Sequence, residues 1–222
     1  MRLGRGKVIF MPEENVKIGI CIPLYNQVPS VFFIHFMSFF VYTAQKYRAE
    51  LFQVDSTIVD VARNVLVENF LKSDCTHLLF LDSDMVFPPD TIDLLLRHEK
   101  PVVSGLYFLR KKLYPSFRFL KNGDYHSSYE FPQNSLMKVD ATGLGCILVK
   151  REVLEKISEQ NKGEPLFYTK YIEGSRTKVS GEDTVFCELV KKAGFEIYVD
   201  TGLLLGHYGG IIPDSKFKGY VY

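Results

Sequence analysis

At 222 residues, with 46% hydrophobic and 24% charged side chains, the chain is long enough to bury its own core without disulfide or metal staples. Its 27 Lys and Arg balance 26 Asp and Glu, for a net charge of +1, and no basic surplus is present to displace phosphate counterions. That excludes a nucleic-acid groove, although the local cluster Arg110-Lys111-Lys112 is the right size for a single phosphate.

Cys21, Cys75, Cys146 and Cys187 are scattered without a CxxC pair, three of them in apolar runs. They read as buried free thiols of a reducing, cytoplasmic protein. The stretch Met1–Lys17 lacks the continuous apolar core of a signal peptide. The longest greasy segment, Val31–Val41, is interrupted by His35 and Ser38 and is about half the length of a bilayer crossing. Its aromatic residues (Phe32, Phe33, Phe36, Phe39 and Phe40) read first as core packing, with peripheral contact to a membrane surface as the lesser alternative.

In chain order, apolar strands alternate with helical patterns through the first half, as in βαβ units. Val16–Pro23 reads as a buried strand, Ser30 as the cap of a helix running to about Arg48, and Leu51–Asp55 as a second strand. Thr57–Leu71 carries apolar residues at Ile58, Val61, Ala62, Val65, Leu66 and Phe70, close to the helical period. His77–Leu81 (HLLFL) is apolar almost throughout, as a central strand should be, and Pro88-Pro89 opens a helix through Arg97. Short strands are expected at Val102–Ser104, Ser116–Leu120, Met137–Asp140 and Cys146–Val149, with a polar stretch between Lys121 and Ser135. That stretch suits a lid or acceptor surface, and equally a loop without a role. Helices over Arg151–Glu159 and Glu182–Ala193 and strands at Ile197–Val199 and Leu203–Leu205 complete the reading. The expectation is one α/β domain.

The most informative residues are Asp82-Ser83-Asp84, directly after HLLFL. In open α/β sheets ligands bind beyond the carboxyl ends of the strands. Two carboxylates so close in a partly dry cleft favour a hard divalent cation such as Mn2+ or Mg2+, which takes carboxylate oxygens and keeps positions for phosphate. A solvated turn explains the same residues more blandly; the apolar run feeding them favours the metal.

The segment LFLDSDMVFPP resembles the DxD segment of GT-A glycosyltransferases, especially the compact family-2-like group. In the same order IPLYNQ (22–27), VARN (61–64), DATGLGCILVKREVLEKI (140–157) and SGEDTVFCELVKKAGFEIYVDTGLLLGHYG (180–209) resemble other segments of that group. The resemblance implies a GT-A fold, Rossmann-like with a mostly parallel central sheet, over 1–222: a nucleotide-binding half at 1–100 and an acceptor-binding half at 101–222. It implies that Pro23, Tyr25, Asp55, Arg63, Asp82, Ser83, Gly143 and Gly145 contact a nucleotide sugar, UDP favoured. Asp82, Asp84 and His207 would hold Mn2+ or Mg2+. Asp183 would accept a proton from the acceptor hydroxyl beside Glu182, with inversion of the sugar; a glycan, lipid-linked or protein acceptor remains open.

Bland alternatives stand beside these. Arg63 has a blander reading as a solvated helix residue, and His207 as a structural histidine. Ser180 with Asp183 reads as a helix N-cap and capping box. Gly143-Leu144-Gly145 suits close approach to a ligand or a turn at positive φ, and Asp140 is a further candidate beside it. The rival functions are a sugar-nucleotidyltransferase, which needs a glycine-rich loop where PLYNQ stands, and a non-catalytic carbohydrate- or partner-binding relative.

Overall fold

The computed structural model describes residues 15–25, 27–56, 58–110, 114–171, 178–209, 211–213 and 219–221. Lys111, Lys112 and the expected helix start at Thr57 lie outside them. The elements are β1 (Lys17–Leu24), α1 (Ser30–Lys46), β2 (Arg48–Asp55), α2 (Val59–Lys72), β3 (His77–Leu81), β4 (Met85–Val86), α3 (Thr91–Leu96), β5 (Val102–Leu106), β6 (Phe119–Lys121) and β7 (Asp124–His126). They continue with β8 (Leu136–Val139), β9 (Cys146–Lys150), α4 (Arg151–Gln160), β10 (Lys170–Tyr171), β11 (Lys178–Ser180), α5 (Glu182–Lys192), β12 (Ile197–Leu204), β13 (Gly206–His207), β14 (Ile211–Pro213) and β15 (Gly219–Val221).

Seven strands form one sheet in the order β2-β1-β3-β9-β5-β12-β8. β1, β2, β3, β5 and β12 run one way, while β9 and the edge strand β8 run against them. The expected α/β sheet is therefore found, with an antiparallel strand inserted between β3 and β5. Both faces are covered, and side-chain alternation divides the central strands between two cores. Leu78 and Phe80 of β3, with Ile147 and Val149 of β9, pack with Leu66, Phe70 and Phe186 from α2 and α5. Leu79, Leu81 and Leu148 pack on the other face with Phe39, Phe87 and Leu95. Gly19 belongs to this packing: a Cβ there would sit 2.7 Å from the Phe70 ring, so the strand has no side chain where α2 presses closest.

Four local expectations are corrected. Ser30 is the first residue of α1 rather than its cap; Pro29 holds the N-cap position, and its carbonyl accepts from Phe33 N–H at 3.1 Å. The helix after Pro88-Pro89 is confined to Thr91–Leu96. The two predicted strands near the C-terminus are one, β12, with an irregularity between Asp200 and Leu204 where Asp200 accepts the Gly202 N–H at 2.8 Å. The polar stretch after Lys121 holds a hairpin, β6–β7, turned at Asn122 (φ 53°) and Gly123 (φ 89°).

The apolar α1 divides as core packing predicts for most of its rings: Phe32 and Phe39 are buried, Phe36 and Phe40 half-buried, and Phe33 exposed. Among the described residues no helix is long and apolar enough to cross a membrane. All four cysteines are buried and free.

Candidate functional site

β1, β2, β3, β5 and β12 end on one edge of the sheet, and a cleft of about 260 Å³ opens there. Pro23, Leu24 and Tyr25 line it from the end of β1, Ser56 and Val59 from the start of α2, and Asp82, Ser83 and Asp84 from the end of β3. Five expected site residues thus share one cavity: Pro23, Tyr25, Asp82, Ser83 and Asp84. Asp55 is the last residue of β2, exposed and in register with Leu24, while its neighbour Ser56 faces the cleft. Larger clefts between α2 and α4 and beside α1 contain none of the expected residues.

Arg63 is not a solvated helix residue. It is buried under the cleft, with Nη1 donating to Glu182 at 2.8 Å and Nη2 to both oxygens of Asp82 at 3.0 and 3.1 Å. Burial opposes its charge, but Asp82 and Glu182 outweigh that and raise its pKa, so the guanidinium stays charged. One residue of α2 thereby ties the end of β3 to the first turn of α5. Asn64 next to it braces the same helix: its amide donates to the Phe167 carbonyl at 2.8 Å and accepts from Leu166 N–H at 2.9 Å. This seats Phe167 against Phe80 and stacks it on Phe186.

Asp84 and His207 are brought together by backbone pairing. β4 and β13 form a two-residue ribbon, and Tyr208 N–H donates to the Asp84 carbonyl at 2.7 Å. His207 Nε2 stands 3.4 Å from Asp84 Oδ2. The Phe108 carbonyl, 3.2 Å from Nδ1, can only accept, so Nδ1 carries the proton and the Nε2 lone pair faces Asp84. Burial, and the Arg110 guanidinium beyond it, push the imidazole pKa down despite the Phe108 carbonyl. Arg110 ion-pairs with Asp84 and donates through Nε to His207 Nε2 at 3.2 Å. Two acceptors therefore converge on one cation.

Asp82 instead faces Arg63. The one place among the described residues where three potential ligand atoms lie within 4.8 Å of one another is elsewhere: Glu50, Asp74 and Cys75. There Lys17 already neutralises both carboxylates.

Asp183 is half-buried at the start of α5, with Oδ1 accepting from Thr184 N–H at 2.8 Å. The expected capping box is absent: Gly181 holds the N-cap position, no side chain caps the helix, and the Ser180 hydroxyl is buried without a hydrogen-bond partner. The glycines of DATGLGC do not form the turn at positive φ, since neither is among the positive-φ residues. A Cβ on Gly143 would lie 2.0 Å from the Tyr107 hydroxyl, and one on Gly145 would lie 3.0 Å from Met85 Sδ and 3.1 Å from the Tyr107 ring. Asp140 is occupied elsewhere, accepting from Leu120 N–H at 2.8 Å and pairing with Lys191 at 3.0 Å.

Tyr107 is what the sequence reading missed. It is 5% exposed, its hydroxyl accepts the Gly145 N–H at 3.2 Å, and its ring stands edge-on to His207 at 5.6 Å. Burial, then the charges of Asp82 and Asp183, hold its phenol far above the ordinary pKa, so it is neutral. The paired glycines opposite an aromatic strand end were the available signal.

Among solved structures the chain is similar to A197 from STIV, with 21% identity, 93% of each chain covered and a TM-score of 0.61. The fold is of the GT-A type. The inositol-1-phosphate CTP transferase from T. maritima shows a weaker likeness, 12% identical with a TM-score of 0.48 over 88% of this chain and 90% of that one. No protein-family model and no curated protein matches the chain, so the comparisons reach the fold and not family 2.

Proposed function

We propose that the chain is a glycosyltransferase that moves a sugar from a nucleoside diphosphate sugar, UDP favoured, to an acceptor hydroxyl. The observation that carries this reading is the convergence of the Asp84 carboxylate and the His207 Nε2 lone pair beside a cleft at the carboxyl edge of a GT-A sheet. The donor set fits a divalent cation: one hard oxygen, and one imidazole nitrogen whose other ring nitrogen is fixed by a backbone carbonyl, the usual outer support of a ligating histidine. Mn2+ or Mg2+ held by Asp84 and His207 would supply Lewis-acid charge toward a departing diphosphate, while Asp82, expected as a further ligand, stays bonded to Arg63.

The rest of the chemistry belongs to the chain. Pro23, Tyr25 and Ser83 line the space for the nucleotide, which residues 1–100 hold in this reading. Arg63 keeps a fixed positive charge below the cleft, oriented by Asp82 and Glu182, where negative charge accumulates on the leaving group. Glu182 thus acts through Arg63. Asp183, oriented by the Thr184 amide, takes the acceptor proton as the hydroxyl attacks the anomeric carbon, inverting it. Gly143 and Gly145 act through Tyr107, which supports the floor of the site.

A thermal-shift panel of UDP-, GDP-, CDP- and dTDP-sugars with and without Mn2+ tests the reading, since a ligand of the folded state raises the melting point. One donor should stand out, its shift should depend on Mn2+, and Asp84→Asn should remove that dependence. No shift with any donor would refute the reading. Release of free nucleoside diphosphate upon turnover separates it from nucleotidyl transfer.

A further inference from the structure

The Asp84–His207 pair already holds a positive group, and that group is a side chain. Arg110 lies in the segment after β5, pairs with Asp84 and donates to His207 Nε2. The two acceptors are rigid: the β4–β13 ribbon and the Tyr208 amide fix their backbones, Phe108 fixes the imidazole, and both side chains are mostly buried, at 18% and 16% exposed. The Arg110 side chain is the opposite, 52% exposed at the mouth of the site. A guanidinium and a divalent cation cannot share these acceptors, because both need the same lone pairs and repel each other.

We infer that Arg110 is a latch over the cation site, resting on Asp84 and His207 when no donor is present and released when cation and diphosphate arrive. This rests on the reading of Asp84 and His207 as cation ligands. In the resting state Arg110 neutralises a carboxylate that would otherwise be half-buried and alone. On release, its planar fork suits a diphosphate oxygen pair, so the residue that opposes the cation attracts the anionic half of the donor. A metal without nucleotide must displace Arg110 with nothing to receive it. A nucleotide without metal gains Arg110 only by stripping Asp84 of its partner. Together the ligands remove both costs, which couples the two binding events.

A residue that merely props the loop would weaken both ligands when removed; a latch moves them in opposite directions. The test is Arg110→Gln, with Mn2+ binding followed by electron paramagnetic resonance without nucleotide, and UDP binding followed by calorimetry in EDTA. A half-exposed ion pair sets the scale at about two- to fivefold. The variant should bind Mn2+ tighter by about that factor and UDP weaker by a similar one. Unchanged affinities, or a shift of both in the same direction, would overturn the latch. Asp84→Asn in parallel separates the two levels. If it abolishes Mn2+ binding while Arg110→Gln leaves it untouched, only the latch falls. If it leaves Mn2+ binding intact, the cation sits elsewhere and both readings fall.

Discussion

Alanine at Gly143 gives the sharpest test of how the floor of the site is packed. Its Cβ would lie 2.0 Å from the Tyr107 hydroxyl, well inside the roughly 3.3 Å at which carbon and oxygen ordinarily meet. Gly143 is not among the positive-φ residues, so backbone strain plays no part and the cost is steric. Overpacking of this kind costs about 1–3 kcal/mol, while the stiffer unfolded chain returns about 0.4–1 kcal/mol. A net loss of about 1–2 kcal/mol is expected. Tyr107→Phe alone should cost about 1–3 kcal/mol, because the buried Gly145 amide loses its acceptor. In the double variant the nearest ring carbon is 3.0 Å from the new Cβ, a distance relieved by a small shift. The two changes together should therefore cost about 1–2 kcal/mol less than their sum. Urea unfolding of the four proteins gives the coupling directly, and strictly additive losses would refute the argument. Gly145→Ala, with contacts no closer than 3.0 Å, should be milder than Gly143→Ala.

Arg63→Met should destabilise by about 3 kcal/mol in the same assay, since it strands Asp82 and Glu182. That figure is the low end for a broken buried pair because both carboxylates keep partial solvent contact. Arg63→Lys should recover little, as one ammonium cannot reproduce the two-armed bridge. Two acid transitions should separate. Burial, with a contribution from Lys150, lowers the His77 pKa to about 4. The unfolded chain then binds the extra proton first, and stability falls as pH drops from about 6.5 toward 4. The loss is on the order of 2 kcal/mol for a partly solvated ring, and His77→Asn should remove it from a pH series of urea melts. Burial alone would raise the pKa of Asp200, but hydrogen bonds from His98, Gly202 and Arg97 hold it below the ordinary carboxylate value. Its contribution is complete above about pH 4 and is lost below that, so Asp200→Asn should flatten only the most acidic limb.

What could be seen in advance was whatever the chain encodes locally. HLLFL reads as a buried strand because Leu78, Leu79, Phe80 and Leu81 each meet a core on one face or the other, and the period of α2 is visible because Ala62, Leu66 and Phe70 share a buried face. The Asn122-Gly123 turn was just as local, a hairpin signal hidden in a stretch read only for its polarity. Other features needed partners far away. Ser180 looks like a helix cap in any nine-residue window, yet its hydroxyl is buried without a bond and Gly181 takes the position. Gly143 and Gly145 suit a turn at positive φ until the backbone is seen to pack against Tyr107 without one. Arg63 shows no sign of burial until Asp82 and Glu182, from two other elements, converge on it. The motifs located the cleft; the pairings inside it came from tertiary packing.

The ribbon joining Met85-Val86 to Gly206-His207 sets an order of assembly. Asp84, one half of the proposed cation pair, is synthesised well before His207, the other half. A nascent chain that has already folded its first strands and helices still lacks an imidazole opposite Asp84. Until β13 arrives and zips against β4, Asp84 has neither His207 nor the amide of Tyr208 to hold it in place. Competence for the proposed chemistry therefore waits until β13 has been synthesised and paired with β4.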